Sequence, residues 1–554
     1  MPHDDRAKSF WPLFRSLALY SLPGDLLAGL TLAAIAIPEQ MATARLGGFA
    51  PQIGFFAFIA GSLGFALLGG NRFLSCGADS TITPIFAGGL AAMAAAGSPE
   101  YQSLAIALAV MVGAMMLAGG AFRLGGIANL LSVPVMVGFL AGISVHIMVS
   151  QLPGVLGVHG PDGPTLDRIA ELARGLGGTN PFTLCIGFGV LAVVFVSETV
   201  SAKIPGALIG LVAATLATIT FGLETKGVNV VGSVPGTLPR PTFPEPAPEL
   251  WVRLVPLAFV ITVVVMVQTA ATTRSFPSDP DKPADVDRDF LGAGAGSVLS
   301  GLLGAFPVNA SPPRTSIVAE TGGRSQLAGL VAAAIVLALL AFGTGLLQHV
   351  PDAALGGILL FVALRIVRIK QIVTIYRQSF SEFVLIVATA ALIIVLPIQQ
   401  GAFLGIVLSL LHGIWSTTRA RLVEFERVPG TTIWWPAHPH IHGERVEGTA
   451  VIGLQAPLTF LNAPGFRSDV TKVLITRPRL LVLEASGMVE IDFTAAQILL
   501  DVFKACSEQG VTVALARLES VRAQDAFERF RLFDALPREL VFHSVDEAVR
   551  KLAK

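Results

Sequence analysis

The chain has 554 residues and 38 basic against 38 acidic side chains, yet only 14% of its residues are charged while 53% are hydrophobic. Its mean hydropathy is +0.70. A soluble chain carries about a quarter charged residues, so lipid is the main solvent here. Zero net charge, with no basic run interleaved with aromatics, excludes nucleic acid as a partner.

Charge is spread unevenly: 44 charged residues lie in the first 421 positions and 32 in the last 133. Two bodies in two solvents follow. The expected division is a cytosolic N-terminal segment at 1–20, a transmembrane domain at 21–421, a linker at 422–447 and a soluble domain at 448–554. The first residues mix acids with bases and show no cleavable leader, so the N-terminus is expected to stay cytosolic.

Crossing the hydrocarbon takes roughly 17–25 helical residues. Stretches 104–117, 182–196, 208–221, 254–271, 327–347 and 383–397 read as clean apolar segments. Stretches 26–38, 75–90, 133–149, 290–306, 310–319, 355–366 and 401–415 are short and broken by Gly or Pro. With 53–68 they make about fourteen segments. Backbone groups in lipid must be satisfied internally, so this is an all-α polytopic bundle. Lys and Arg in alternate loops set its orientation. Arg72, Arg123, Lys203, Arg274, Lys282, Arg288, Arg324, Arg365, Arg368, Lys370, Arg377, Arg419 and Arg421 fall on the side of Arg6, Lys8 and Arg15. Arg168, Arg174, Lys226, Arg240 and Arg253 fall opposite. An even number of crossings with a cytosolic tail follows.

Two broken segments look like half-helices starting inside the membrane: Ser75-Cys76-Gly77-Ala78-Asp79-Ser80-Thr81, and Asn309-Ala310-Ser311-Pro312-Pro313-Arg314-Thr315. One lies in each half of the bundle, the sequence pointer to a transporter built from inverted repeats with a midplane site. Each helix start carries unpaired N–H groups and about half a positive charge. Two facing starts make a pocket for an anion. Arg314 begins the second half-helix and reads as an oxyanion fork or as a structural arginine. Glu39 and Asp79 are each a counter-charge, a proton relay or a cation ligand.

These residues resemble a known family. Ala36-Ile37-Pro38-Glu39-Gln40-Met41-Ala42-Thr43-Ala44, followed by Gly47 to Gly54, is similar to the first-helix signature of the SulP anion transporters. These are the sulfate permeases, whose animal relatives include prestin and pendrin. Ala66 to Arg72 with Ser75-Cys76-Gly77 resembles the passage from second to third helix, and Phe306 to Thr315 with Glu320 to Gly323 the tenth-helix segment. Leu458 to Ala463 resembles the opening of the family's cytosolic STAS domain, and Asp492 to Ala496 its central loop. The resemblance covers nearly the whole chain, in order.

It implies a seven-plus-seven inverted repeat, a core moving against a gate, a homodimer, and anion contacts near Glu39, Thr43, Asp79, Ser80, Gln268, Pro313, Arg314 and Thr315. Where many members carry a carboxylate in the eighth helix, this chain has Gln268. It has carboxylates at Glu39 and Asp79, where the family pattern has an amide and an apolar residue. Two carboxylates repel an anion at low dielectric unless a proton or a cation binds with it. Asp79 and Glu39 are therefore the expected ion-coupling residues, for H+ or Na+.

In the tail, 449–454, 480–483 and 511–516 read as strands, and 495–508, 521–533 and 545–552 as helices, a small α/β domain. Thr494 stands where related regulatory domains are phosphorylated, and reads more simply as a helix N-cap near Asp492. His438, His440 and His442 lack further ligands at metal spacing. The acidic loop 279–289 reads as solvated and not as a calcium loop. Gly292 to Gly296 reads as small-residue helix packing. Cys76, Cys185 and Cys506 support neither disulfides nor a metal site.

No catalytic constellation, metal or cofactor is expected. The expected function is secondary active transport of a small inorganic anion, sulfate first, in the cell (inner or plasma) membrane with the soluble domain in the cytosol. A bicarbonate or dicarboxylate carrier, or an anion sensor signalling through the STAS domain, are the alternatives.

Overall fold

In a computed structural model of the protein, the described residues are 22–126, 132–158, 165–201, 204–232, 238–243, 248–279, 283–418, 422–437 and 443–553. The expected N-terminal segment 1–20, Lys203, Lys282, Arg419, Arg421 and the histidines at 438, 440 and 442 lie outside them. The chain divides into two compact units, Met1–Leu410 and Leu411–Lys554.

The first unit runs α1 (Leu22–Leu46), α2 (Pro51–Leu68), β1 (Cys76–Gly77), α3 (Thr83–Ala91), α4 (Pro99–Ala121), α5 (Val133–Leu156), α6 (Thr165–Gly175), α7 (Pro181–Val200) and α8 (Gly206–Thr220). It continues with α9 (Pro248–Ser275), α10 (Val286–Leu302), β2 (Asn309–Ala310), α11 (Pro312–Glu320), α12 (Leu327–Phe342), α13 (Thr344–Leu347), α14 (Asp352–Ile366), α15 (Ile369–Gln378), α16 (Phe380–Val395) and the first part of α17 (Ile398–Thr418), inside which the division falls. The second half repeats the first: long α1 answers to α9, each with an internal proline. β1–α3 answers to β2–α11, each a two-residue strand leading to a nine-residue helix. Amphipathic α6 answers to α15. This is the seven-plus-seven inverted repeat.

Two readings of the sequence are corrected. Stretches 26–38 and 133–149 are not broken: α1 continues through Pro38 to Leu46, and α5 runs through Pro153 to Leu156. Prolines are tolerated there because neighbouring helices and polar side chains re-satisfy the freed carbonyls. Among the described residues α1, α2, α4, α5, α7 and α9 are long and apolar enough to cross a membrane.

Helices sort into two packed groups. α10 lies on α2 and α4, α1 on α2 and α12, and α4 on α9; separately, α5 lies on α14 and α16, and α7 on α8 and α14. Small residues set the α2–α10 approach: a Cβ on Gly64 would stand 2.3 Å from the Gly296 nitrogen, and one on Gly292 2.7 Å from the Gly69 Cα. Nothing larger fits between these backbones. The acidic loop is also less solvated than expected. Asp289 is buried and accepts from Gly70 N at 2.9 Å, Asn71 N at 2.8 Å and Thr273 Oγ1 at 2.6 Å, tying α10 to the segment before β1.

The second unit holds β3 (Leu422–Arg427), β4 (Trp434–Pro436), β5 (Thr449–Leu454), α18 (Ala463–Leu474), β6 (Leu480–Glu484), α19 (Phe493–Glu508), β7 (Thr512–Ala516), α20 (Val521–Arg529), β8 (Val541–Phe542) and α21 (Val545–Leu552). Sheet order is β4-β3-β5-β6-β7-β8, parallel from β5 onward. Alternation along the strands fills both faces: Ile452, Leu481 and Leu483 join Phe466, Leu499 and Phe527 on one. Val451, Leu480 and Val482 join Phe542 and Val549 on the other. The stretch expected as a linker supplies β3 and β4: Leu422, Val423 and Glu424 pair antiparallel with β5, and Phe425, Glu426 and Arg427 with β4.

Candidate functional site

The two broken segments meet. β1 and β2 pair antiparallel, Cys76 opposite Ala310 and Gly77 opposite Asn309. Ser311 N donates to Ser75 O at 3.0 Å, and Ser75 N to Thr315 Oγ1 at 3.1 Å. This short ladder satisfies extended backbone in the middle of the bundle, where lipid offers no partner, and brings the starts of α3 and α11 together.

The starts differ in chemistry. At α3, Asp79 Oδ1 accepts from Thr81 N at 2.9 Å and from the Thr81 hydroxyl, while Asp79 O accepts from Thr83 N and Thr83 Oγ1. The carboxylate thus closes an Asx turn on Thr81, just ahead of the helix, and places a negative charge at the approach to α3. At α11 the first two residues, Pro312 and Pro313, bring no N–H, so fewer amides face outward than a regular start offers. Positive charge comes instead from Arg314, 0% exposed. Its Nη1 donates to Glu39 Oε1 at 2.7 Å and to Ala78 O at 3.1 Å. Nε and Nη2 have no hydrogen-bond partner among the described residues. Arg314 is therefore not alone: α1 supplies its counter-ion, as a buried guanidinium requires. Gln40, the next residue on α1, grips Ala78 from both sides, its Oε1 accepting from Ala78 N at 2.8 Å and its Nε2 donating to Ala78 O at 3.1 Å.

A cavity of about 780 Å³ opens beside this assembly. Of the residues expected in the site, Glu39, Asp79, Ser80, Gln268 and Pro313 line it, together with Thr81, Ser311 and Ser316. Arg314, Thr315 and Thr43 are buried outside its lining. Thr315 Oγ1 serves the β1–β2 ladder, and Thr43 Oγ1 has no partner among the described residues. The cavity extends past α14 to Arg274, Arg365, Arg368 and Glu198, with Arg365 Nη1 2.7 Å from Glu198 Oε1. At the other end of α14, Arg45 of α1 pairs with Asp352 at 2.7 Å.

Sequence reasoning passed over Gln40, Thr81 and Asn309. Asn309 Nδ2 donates to Gln268 Oε1, and Gln268 Nε2 to Thr81 Oγ1 at 2.9 Å, so one α9 side chain joins both broken segments. Thr81, two residues after Asp79, was the legible signal, since that spacing makes an Asx turn. In the second unit Asp492, and not Thr494, caps α19, its Oδ1 accepting from Ala495 N at 2.8 Å; Thr494 is exposed in the first turn. Among the described residues no acid, His or Cys cluster could hold a metal ion.

Residues 22–389 match the model of the sulfate permease family, and residues 440–548 that of the STAS domain. A protein of Mycobacterium tuberculosis named as a probable sulfate transporter is 32% identical over 543 residues, covering 97% of this chain and 96% of its own. Mouse solute carrier family 26 member 10 is 25% identical, over 95% of this chain and 83% of its own. Among solved structures, the murine anion transporter of solute carrier family 26, member A9, in its inward-facing state superposes with a TM-score of 0.89 at 20% identity, covering 100% of this chain and 96% of that one. The transmembrane domain of a cyanobacterial bicarbonate transporter gives 0.62 at 22% identity, over 71% of this chain and 98% of that one. These two show a shared fold. The chain belongs to the sulfate permease family, an integral membrane protein whose transport domain is followed by a STAS domain.

Proposed function

We propose that the protein is a secondary active transporter of a small inorganic anion, sulfate, which binds between the starts of α3 and α11 and enters with a proton, or a sodium ion, taken up at Asp79 or Glu39. The observation that carries this reading is the antiparallel pairing of β1 with β2, which sets both helix starts against one cavity. Charge arithmetic supplies the coupling. Arg314 and Glu39 cancel, each helix start contributes about half a positive charge, and Asp79 offsets those. That sum is zero, so a dianion enters with its own charge unneutralised and is costly to take out of water. Binding a proton or cation with the anion lowers that cost.

The Lys/Arg bias of the loops supports an N-terminus and a STAS domain in the cytosol of a cell-membrane protein. Uptake of labelled sulfate by the purified chain in proteoliposomes tests the reading. An inward proton or sodium gradient is expected to accelerate uptake, and Glu39→Gln and Asp79→Asn to weaken that acceleration more than the apparent sulfate affinity. Uptake indifferent to both gradients contradicts the coupling. Stronger competition by unlabelled bicarbonate or a dicarboxylate than by unlabelled sulfate reassigns the substrate.

A further inference from the structure

The amphipathic helices α6 and α15 hold matching places in the two repeats, one following α5 and the other α14. Their charges differ. α6 carries Asp167, Arg168, Glu171 and Arg174, two of each sign. α15 carries Lys370 and Arg377, with Arg368 just ahead of it, and no acidic residue stands between Asp352 and Glu382. Among the described residues Arg368, Lys370 and Arg377 have no ion-pair partner, whereas Arg365 is paired with Glu198.

Round α15, at about 3.6 residues per turn, the side chains fall into sectors. Ile372 and Ile375 turn inward onto Val137, Phe383 and Ile386. Next come Ile369, Val373 and Tyr376, a stripe of exposed apolar side chains that the rest of the described chain leaves uncovered. Lys370 and Arg377 border that stripe, exposed Thr374 and Gln378 follow, and Gln371 closes the circle on the cavity wall. α15 lies on α5 and α16. Phe380, Val384 and Val387 of α16 are exposed in the same way, so the stripe continues the lipid-facing surface of the bundle. An apolar stripe bordered by bases alone is the pattern of a helix lying in the membrane interface, its apolar side among acyl chains and its cations at headgroup level.

We propose that the outer face of α15 is a docking surface for acidic phospholipids, with Lys370 and Arg377 taking headgroup phosphates and Ile369, Val373 and Tyr376 the acyl chains. The two cations stand two turns apart, about 10 Å along the axis, so each takes a headgroup of its own. Arg377 offers phosphate a planar fork of donors, and Lys370 a compact charge. The repeat-related α6 also exposes apolar side chains, Leu166 and Ile169, but its balanced charge gives it no preference for acidic lipid. Gln371 and Arg368 line the cavity, so the lipid surface and the cavity share one helix and its leading turn.

Native mass spectrometry of the full-length chain, delipidated in detergent and titrated with phosphatidylglycerol or phosphatidylcholine, tests this. Wild type is expected to retain phosphatidylglycerol more strongly. One basic residue near an acidic lipid surface strengthens binding about fivefold. Lys370→Gln/Arg377→Gln is therefore expected to weaken phosphatidylglycerol binding about tenfold or more and to leave phosphatidylcholine binding unchanged. Lys370→Arg/Arg377→Lys, which keeps the charge, is expected to hold the wild-type preference, as is Arg174→Gln on α6. Val373→Ser/Tyr376→Ser is expected to weaken binding of both lipids. All these positions are exposed, so the fold is kept.

Equal phosphatidylglycerol retention by wild type and the glutamine double variant overturns the proposal, as does an equal loss in Arg174→Gln. Displacement of the lipid by soluble glycerol phosphate overturns it in favour of a free-phosphate site. Loss of a dimer in the spectra of Val373→Ser/Tyr376→Ser, with lipid retention unchanged, overturns it by assigning the face to a second copy of the chain.

Discussion

The starts of α3 and α11 are related by the inverted repeat and meet through a two-residue ladder, but they carry opposite solutions to one electrostatic problem. α3 is preceded by a carboxylate of its own, Asp79, turned onto Thr81 N just before the helix. α11 gives up amides to two prolines and takes a buried guanidinium, Arg314, whose charge is cancelled from α1 by Glu39. A symmetric pair of helix starts would bind an anion without assistance. In the coupled reading proposed above, the asymmetric pair makes binding conditional on what happens at one acid, which would separate a static anion pocket from one that responds to a second ion.

The largest effect belongs to the α11 side. Arg314→Ala leaves Glu39 without its partner, and breaking a buried pair by removing one member costs about 3–5 kcal/mol. A marked fall in thermal stability and loss of sulfate uptake are expected, with Arg314→Ala/Glu39→Gln recovering part of the stability and none of the transport. If the double variant is no more stable than the single one, Glu39 is not the charge that Arg314 balances.

Next comes the ladder that holds the comparison together. A Cβ on Gly77 would stand 2.8 Å from Phe58 Cδ2, 3.0 Å from Gln40 Oε1 and 3.4 Å from Arg314 Nη2. Gly77→Ala is expected to cost about 1–3 kcal/mol by overpacking and to weaken sulfate binding by displacing Gln40 and Arg314. Unchanged unfolding temperature and affinity would mean that the ladder tolerates slack.

On the α3 side the effect on stability is smaller. Asp79→Ala removes the turn bond from Thr81 N, worth about 1 kcal/mol, while Asp79→Asn keeps an accepting oxygen and removes the charge. The asparagine variant is expected to fold with near-native stability and to transport without gradient dependence; a variant that keeps its gradient dependence moves the coupling to Glu39.

The smallest expected effect is a control away from both starts. Arg45 and Asp352 are 36% and 21% exposed, and an ion pair of that kind contributes about 0–1 kcal/mol. Arg45→Ala should shift the unfolding temperature by a small fraction of the Arg314→Ala shift.

The break points at Ser75–Thr81 and Asn309–Thr315 were legible because Gly and Pro interrupt apolar runs at matching places in the two halves. The strands and closing helix of the soluble domain were legible from alternation and amphipathicity. Continuity of α1 and α5 was hidden, since an internal proline reads as a break until neighbouring helices are known. β3 was obscured by the Trp, Pro and His residues that follow it. α6 and α15 were missed although Leu166, Ile169, Ala170 and Ala173 repeat at helical spacing. Within the site, the charged residues announced themselves because charge is rare at membrane depth. Thr81, Gln40 and Asn309 did not, since many buried polar residues share their composition and only the β1–β2 register selects those that meet.

The most direct test is a structure of the protein with selenate, a sulfate analogue whose heavy atom marks its own position. The account predicts density between the starts of α3 and α11, within hydrogen-bond distance of Ser80 or Gln268 and beside the Arg314–Glu39 pair. Density confined to Arg274, Arg365 and Arg368 at the far end of the cavity would contradict it.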